Sequence, residues 1–132
     1  MSNLLQELLS EREYLVADGA TGTNLMAMGL PAGQAPDLWN LDEPEKVAQL
    51  HESFLEAGAD IILTNTFGAN RCRLAMEKAE GRTAEINEAG ARIAIEAKEA
   101  AARPVVVAGS MGPTGEIMEP AGPLAPERAE EI

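Results

Sequence analysis

Polar and glycine residues follow three short apolar runs of this sequence, and their types and spacing could do chemistry. The runs occupy residues 14–17, 61–63 and 104–108. The segments that follow them carry Asp18, Asn65 and Ser110. Continuous apolar runs are typical of parallel strands buried on both faces, and the carboxyl ends of such strands meet at one edge of an α/β sheet. We therefore expect these three side chains to face one common site.

The first segment, Asp18-Gly-Ala-Thr-Gly-Thr23, joins a carboxylate to a glycine-rich turn. A carboxylate directly after a buried strand either caps the turn through backbone amides or faces a ligand, and the residues alone leave both roles open. Two of the glycines suit a turn that needs a positive φ or a close approach of a ligand. The candidate binding residues of this segment are Asp18, Gly19, Thr21, Gly22 and Thr23.

This turn does not match the phosphate-binding motifs that also depend on glycines. A P-loop has a lysine followed by Ser or Thr after its glycines, and residues 19–24 contain no lysine. A dinucleotide-binding fingerprint has the spacing Gly-x-Gly-x-x-Gly, whereas Gly19 and Gly22 are three apart with no third glycine in register. Neither kind of nucleotide site is therefore predicted here.

The second and third segments supply neutral polar groups and an aromatic ring. Asn65 and Thr66 offer hydrogen-bond donors and acceptors, and Phe67 offers an apolar wall. Capping of the strand end is the alternative role for this segment. Ser110 and Gly112 are further candidates, although the segment around them could simply turn the chain away from the sheet.

The single cysteine and the single histidine do not form a metal site or a nucleophile–base pair. Cys72 has no second cysteine or histidine at ligand spacing, which favours a structural thiol. His51 follows Val47 by four residues on an amphipathic helix, which favours a packing role. We therefore predict no metal ligand and no catalytic residue within this chain.

The elements that must position these residues alternate between strand and helix. We predict an N-terminal helix within residues 1–13, a β-α-β-α-β unit over 14–109, and a Gly/Pro-rich loop with the start of a further helix over 110–132. The crossovers are far longer than hairpin loops, so the strands should be parallel. The expected fold class is α/β.

The first crossover is predicted as a loop over residues 31–41, with Trp39 as its one large anchor, followed by a helix. Asp42 is the predicted N-cap of that helix, with Pro44 in its first turn. Gly58 is placed to end it in a left-handed conformation.

The second crossover is predicted to contain two helices. A helical region should run from about residue 70 to 80 and break at Gly81. Thr83 is the predicted cap of a longer helix that stops before Pro104, because a proline disfavours helix in the residue before it.

Composition excludes several classes of partner. The net charge of −12 and the pI near 4.4 argue against binding to nucleic acid or to an anionic membrane surface. The first residues lack a positive segment followed by an apolar stretch, and no run of 18 apolar residues occurs. A cytoplasmic location is the resulting expectation, and the lone cysteine agrees with a reducing compartment.

Four motifs in order give the chain a family resemblance. They are Asp18-Gly-Ala-Thr-Gly-Thr23, the run from Leu50 to Phe67, Glu85-Ile-Asn-Glu-Ala89 and Ala108-Gly-Ser-Met-Gly-Pro113. Together they resemble the homocysteine S-methyltransferase family, which includes betaine-homocysteine methyltransferase and the homocysteine-binding module of cobalamin-dependent methionine synthase. The resemblance implies a (β/α)8 TIM barrel. Since such a barrel needs roughly 250 residues, this chain would be a partial barrel of about the first three β/α units.

The resemblance also implies a reaction, a cofactor and substrates. The family transfers a methyl group from a donor to the thiol of homocysteine to give methionine, with zinc holding the sulfur as a thiolate. The matching Asp18 and Gly19 would help to hold the amino-acid end of homocysteine. The family's three cysteine ligands for zinc fall outside the positions of this chain, so zinc is expected for the complete enzyme and this chain alone is expected to be inactive.

Two other functions stay open on the sequence. The chain could be a non-catalytic partial-barrel module that is completed by a partner chain, such as a complementing C-terminal chain, or by self-association, because an open parallel sheet leaves unpaired edges. It could also be a small doubly wound enzyme that uses Asp18 chemically. The methyl donor is not specified by these residues.

Overall fold

The computed structural model describes residues 3–132 as an α/β chain in which helices cover a small parallel sheet. The α-helices are α1 (Leu4–Glu11), α2 (Gly22–Ala27), α3 (Trp39–Asp42), α4 (Pro44–Glu56), α5 (Arg71–Leu74), α6 (Thr83–Ala100) and α7 (Pro126–Ala129). The strands are β1 (Ile61–Leu63) and β2 (Val106–Ala108). Short 3-10 turns lie at Pro36–Leu38, Ala75–Glu77 and Glu80–Arg82. Within the described residues, no helix is both long and apolar enough to cross a membrane.

The two strands pair in parallel, which confirms the predicted direction of the second and third runs. Ile61 is in register with Val106, and Leu63 with Ala108. The first apolar run joins this sheet through a single parallel bridge between Ala17 and Ile61. The carboxyl ends of all three segments therefore lie at the same edge.

The predicted first strand is wrong in its extent, since only Ala17 of residues 14–17 takes part in a bridge. Side chains take the backbone donors on both sides of the bridge: before Ala17 the Val16 N–H donates to the Asp60 Oδ2 atom at 3.0 Å, and after Ala17 the Asp18 side chain replaces a backbone acceptor. Its Oδ2 atom accepts the hydrogen bond from the Leu63 N–H at 2.9 Å, a donor that a longer strand would have paired with a backbone carbonyl. At the other end of the run, the Tyr14 side chain is 72% exposed and gains nothing from the sheet.

The loop predicted over residues 31–41 is wrong in part, because it folds into a 3-10 turn and the short helix α3. Burial of Trp39 in the core draws this segment into helical turns. Asp42 consequently ends α3, and the residue that caps α4 is Glu43 rather than Asp42. Pro44 occupies the first turn of α4 as predicted, and Gly58 follows its end with φ at +102°.

The helical region predicted over residues 70–80 is shorter than expected. It contains α5 and a 3-10 turn, and Lys78 then adopts a left-handed conformation with φ at +56°. The prediction that Thr83 caps α6 is also wrong. Thr83 is the first residue of α6, and its hydroxyl donates to the Glu80 carbonyl at 2.8 Å. The helix ends at Ala100, before Pro104, as predicted.

Helices α4 and α6 pack against each other and against the sheet, and this packing fixes the strand ends. Apolar residues of both helices join residues of neighbouring elements in two buried clusters. One consists of Leu25, Leu30, Trp39, Val47, Leu50 and Ile93, and the other of Leu55, Ala59, Ile62, Ala94, Ala97 and Val105. Each large side chain buried in this way contributes about 1.5–3 kcal/mol relative to an exposed one.

A carboxylate fastens the amino-terminal edge of the sheet. Asp60, directly before β1, accepts hydrogen bonds from the Val16 N–H at 3.0 Å and from the Arg12 guanidinium at 2.6 Å. Arg103 lies 3.5 Å from the same carboxylate. The Val16 hydrogen bond and the two cations lower the pKa of the Asp60 carboxyl. Sequence reasoning assigned no role to this cluster, which lies at the opposite edge from the candidate site.

Candidate functional site

A cavity of about 580 Å³ opens at the carboxyl edge of the sheet. Its walls come from the turn after the first apolar run, the loop before α3, the end of β1 and helix α5. Seven of the ten candidate residues line it: Asp18, Gly19, Thr21, Gly22, Asn65, Phe67 and Ser110. The structure thus brings the ends of the three apolar runs together at one cavity.

Asp18 fastens the turn, one of the two roles that the sequence left open, and it also lines the cavity. Its Oδ2 atom accepts the Leu63 N–H, while its own N–H donates to the Ile61 carbonyl at 2.9 Å. Within residues 3–132 its Oδ1 atom has no hydrogen-bond partner. Burial raises the pKa of the Asp18 carboxyl, and the hydrogen bond from Leu63 opposes that rise. One oxygen therefore fastens the turn, and the other is available to a ligand.

The glycines of the turn do not adopt the positive φ that the sequence suggested. Gly19 and Gly22 are absent from the described residues with positive φ, and Gly22 begins helix α2. Gly19 instead allows a close approach, since a Cβ atom there would lie 3.3 Å from the Phe54 ring. Thr21 lines the cavity, whereas Thr23 is exposed on α2 and does not.

Asn65 has both hydrogens of its side-chain amide bound within the protein. Its Nδ2 atom donates to the Pro36 carbonyl and to the Asn40 Oδ1 atom, both at 2.9 Å. Asn40 returns a hydrogen bond to the Asn65 carbonyl at 2.7 Å. The Asn65 side chain therefore anchors the loop before α3 to the end of β1 and has no free donor for a ligand.

Hydroxyl groups connect the ends of β1 and β2. The Ser110 N–H donates to the Thr64 Oγ1 atom at 2.9 Å, and the Thr66 hydroxyl donates to the Ser110 carbonyl at 2.7 Å. Because the Thr66 hydrogen is used in this way, the Thr64 hydroxyl must be the donor in the 2.6 Å contact between them. Thr66 thus fixes the loop geometry and lines a second cavity of about 480 Å³ rather than the first.

Phe67 and Gly112 contact each other beside the cavity. The Phe67 ring is 59% exposed and lines the cavity wall, as expected for an apolar contact surface. Gly112 lies against the Phe67 carbonyl and ring, and a Cβ atom there would come within 2.9 Å of the ring carbons. The role of Gly112 is therefore to admit Phe67 at close range, and it does not line the larger cavity.

Three charged residues that sequence reasoning missed also line the cavity, namely Asp37, Arg73 and Glu77. Asp37 is 4% exposed, and its Oδ1 atom accepts the Gly68 N–H at 2.9 Å. Burial raises the pKa of the Asp37 carboxyl, opposed by the Gly68 hydrogen bond and by the charge of Arg73. Arg73 reaches the same cavity from α5. The sequence signal for Asp37 was its position two residues before Trp39, because a residue so close to a buried anchor is held near the core.

The described residues do not supply a metal site. Among residues 3–132, no group of three His, Cys, Asp or Glu side chains could hold a metal ion. His51 is 1% exposed inside the core, and neither of its ring nitrogens has a hydrogen-bond partner among residues 3–132. Burial lowers the pKa of His51 to about 4. The predicted packing role of His51 is confirmed, and Cys72 is a partly buried free thiol.

The fold and site define an α/β chain whose parallel strands end at a cavity of about 580 Å³. Residues 15–132 match the family model described as "Homocysteine S-methyltransferase". The chain belongs to the homocysteine S-methyltransferase family.

Individual relatives agree with this assignment. A methionine synthase of Mycobacterium tuberculosis is 33% identical over 118 residues, which are 83% of this chain and 10% of that protein. A homocysteine S-methyltransferase of Escherichia coli is 31% identical over 126 residues, covering 86% of this chain and 40% of the relative. The metallated crystal structure of the homocysteine methyltransferase MmuM from Escherichia coli superimposes with a TM-score of 0.77 at 28% identity, covering 86% of this chain and 42% of that one. The chain thus spans less than half the length of these relatives.

Proposed function

We propose that this chain is the N-terminal part of a homocysteine S-methyltransferase, which transfers a methyl group to the thiol of homocysteine and forms methionine. The observation that carries the proposal is the half-bound carboxylate of Asp18 at the cavity, within a motif that matches the family. We further propose that its parallel strands are the first of a (β/α)8 barrel. The likeness to MmuM at a TM-score of 0.77 supports this architecture.

The residues of this chain bind and orient the amino acid in the proposed reaction. The free oxygen of Asp18 accepts a hydrogen bond from the homocysteine ammonium, and exposed backbone amides of the turn at residues 19–22 receive its carboxylate. The exposed Phe67 ring provides an apolar wall for the methylene groups and the sulfur. Thr64, Thr66 and Ser110 support these contacts by fixing the two strand ends.

Activation of the sulfur is not assigned to residues of this chain. A thiol with a pKa near 8.5 is mostly protonated at neutral pH and is then a weak nucleophile. The described residues do not fit the zinc that the family resemblance implies, because no three ligands converge. We propose that zinc belongs to the complete enzyme with ligands from outside this chain, and no step here depends on it.

The free sheet edge favours completion of the fold by additional polypeptide. Among the described residues, β2 pairs with β1 alone, so its other edge has no strand partner. The second cavity lies at the carboxyl ends of the strands, and its lining includes Gly109, Met111 and Ile132. We propose that further β/α units of the same protein cover this surface. A partner chain or a second copy is the alternative occupant, and sedimentation of the protein distinguishes these cases.

Calorimetric titration of homocysteine into the full-length protein carrying this chain tests the proposed function. We expect saturable binding that weakens by about tenfold to hundredfold in Asp18→Asn, because a hydrogen bond between charged groups is lost. Asp42→Asn is the matched control, since Asp42 is exposed and does not line the cavity. Absence of homocysteine binding to the unmodified protein would contradict the proposal.

A further inference from the structure

Helices α3 and α6 are joined by a buried asparagine to which the function proposed above gives no role. Asn40 lies on α3 and is 2% exposed. It does not line either of the two cavities. None of the four motifs that carry the family resemblance contains it. Any influence of Asn40 on a ligand must therefore pass through another residue.

The Asn40 side chain connects α3 to two other elements through its amide. Its Nδ2 atom donates to the Asn65 carbonyl at 2.7 Å and to the Ile86 carbonyl of α6 at 3.2 Å. Its Oδ1 atom accepts a hydrogen bond from the Asn65 Nδ2 atom at 2.9 Å. Only the NH2 group can donate to two carbonyl oxygens, so these partners fix the orientation of the amide. Asn40 therefore holds the segment after β1 against α6.

Asn65 extends this connection to the wall of the larger cavity. Its Nδ2 atom also donates to the Pro36 carbonyl at 2.9 Å. Pro36 and Asn65 both line that cavity, one from the loop before α3 and the other from the end of β1. Since Asn40 accepts one hydrogen of the Asn65 amide, the other hydrogen is directed to Pro36. The separation of these two parts of the wall thus depends on a residue outside the cavity.

Gly90 on α6 leaves the space that Asn40 occupies. It lies one helical turn after Ile86, and a Cβ atom there would come 2.6 Å from the Asn40 Nδ2 atom. The same Cβ atom would lie 2.7 Å from the Thr66 Cγ2 atom. Both distances are far shorter than a van der Waals contact allows. A glycine inside a helix is less stable than alanine, and the close approach of Asn40 and Thr66 gives the physical reason for one here.

We propose that Asn40 and Gly90 are positioning residues of the larger cavity, an inference that rests on the proposed function because homocysteine is the ligand whose binding they affect. Gly90 admits the Asn40 side chain, and Asn40 orients the Asn65 amide. That amide sets the position of the Pro36 loop relative to the end of β1. Neither Asn40 nor Gly90 contacts the ligand, so their substitution acts on affinity through the geometry of the wall.

Calorimetric titration of homocysteine into the full-length protein, well below the melting temperature of each variant, tests this assignment. Gly90→Ala and Asn40→Ala should each weaken binding by about tenfold, because each breaks the buried hydrogen bonds of Asn40. The double variant should weaken binding no more than the stronger single variant, since both substitutions remove the same contact. Gly90→Ala tests the proposal even if Asn40→Ala does not fold.

Two control variants separate positioning from stability. At Gly81→Ala, no atom lies within 4 Å of the new Cβ atom. Ala97→Gly weakens the same helix two turns after Gly90, at a residue that lines neither cavity. Both controls should bind homocysteine normally, although Ala97→Gly lowers the melting temperature. Melting temperatures that fall in Gly90→Ala and Asn40→Ala without a change in affinity would overturn the proposal, as would losses that multiply in the double variant.

A spectroscopic measurement distinguishes failure of this proposal from failure of the proposed function. In nuclear magnetic resonance spectra of the full-length protein with isotopically labelled asparagine, the side-chain amide signals of Asn65 should shift in Gly90→Ala and stay in place in Gly81→Ala. This result is expected without any ligand. If the unmodified protein does not bind homocysteine, the proposed function fails. Asn65 signals that are unchanged in Gly90→Ala would overturn the positioning role.

Discussion

Asp60 and Asp18 lie at opposite edges of the same small sheet, and their surroundings differ in kind. Asp60 at the amino-terminal edge is bound by the Val16 N–H and two guanidinium groups, which lower the pKa of its carboxyl. Asp18 at the carboxyl edge has one backbone hydrogen bond, and burial raises the pKa of its carboxyl. The first carboxylate is fully used in stabilising the fold, whereas the second retains capacity for a ligand.

This difference extends to the residues around each carboxylate. At the amino-terminal edge the cations are Arg12 and Arg103. Through Asp60 they connect the segment before residues 14–17 to the segment between α6 and β2. At the carboxyl edge Asp37 resembles Asp18 in that one of its oxygens accepts a hydrogen bond from a backbone N–H, that of Gly68. The Asp60 cluster that stabilises the fold and the candidate site thus lie at opposite ends of the same strands.

The largest predicted effect contrasts alanine variants at the two edges. Asp60→Ala should lower the free energy of unfolding by about 2–3 kcal/mol, because it removes the acceptor of the Val16 N–H and two ion pairs with partly exposed arginines. Asp18→Ala should lower it by about 1 kcal/mol, since a single hydrogen bond is lost. Urea denaturation measures both, with Asp42→Ala as the exposed control. Equal losses at the two edges would break the comparison.

The buried His51 gives a pH dependence that belongs to neither edge. Its pKa of about 4 in the folded state lies below the usual 6.5, so the unfolded state binds the proton more readily between these values. Stability should therefore fall as pH decreases from 6.5 towards 4, with a loss of about 2 kcal/mol at pH 5. Denaturation curves of His51→Leu should lack this loss. If the stability of His51→Leu still falls over this pH range, other titratable groups cause the loss.

Close contact at the carboxyl edge makes Gly112 sensitive to a single methyl group. Gly112→Ala should cost about 1–2 kcal/mol, because the new Cβ atom would overlap the carbonyl and ring of Phe67. Gly109→Ala is the matched control, since no atom lies within 4 Å of a Cβ atom there. Thermal denaturation compares the two variants. An unchanged melting temperature for Gly112→Ala would show that Phe67 moves aside freely.

The smallest predicted effects concern how the stability contributions of Asp60 and Asp18 change in opposite directions as the pH falls. The lowered pKa of Asp60 means that its contribution to stability is present above the unfolded value of 3.8 and lost as pH falls through the folded value. The raised pKa of Asp18 has the reverse sign, because the folded state takes up the proton first and gains stability as pH falls. Asp60→Asn and Asp18→Asn should therefore change the slope of stability against pH in opposite directions. Slopes that change in the same direction would contradict the assigned environments.

The convergence of the three apolar runs was predictable, but the local hydrogen bonds were not. Asp18, Asn65 and Ser110 line one cavity because the carboxyl ends of parallel strands meet, which the sequence pattern indicates. The use of both Asn65 hydrogens depends on Pro36 and Asn40, which lie 29 and 25 residues away in the chain. No periodicity or spacing encodes such a pairing.

The other departures have equally local causes. Strand pairing of the first run is confined to Ala17 because the Asp60 carboxylate takes the Val16 N–H before it and the Asp18 carboxylate takes the Leu63 N–H after it. Asp37 reaches the cavity because burial of Trp39 folds its loop into helical turns, an effect of the tertiary core. The Pro and Gly content that predicted a loop over residues 31–41 does not show that Trp39 is buried against α4 and α6.

A structure of the full-length protein with bound homocysteine tests the central claim most directly. The account predicts the ammonium of the ligand at hydrogen-bond distance, about 2.7–3.2 Å, from the free oxygen of Asp18, with the cavity at the carboxyl edge filled. Homocysteine bound elsewhere, with the Asp18 oxygen still unpaired, would contradict it.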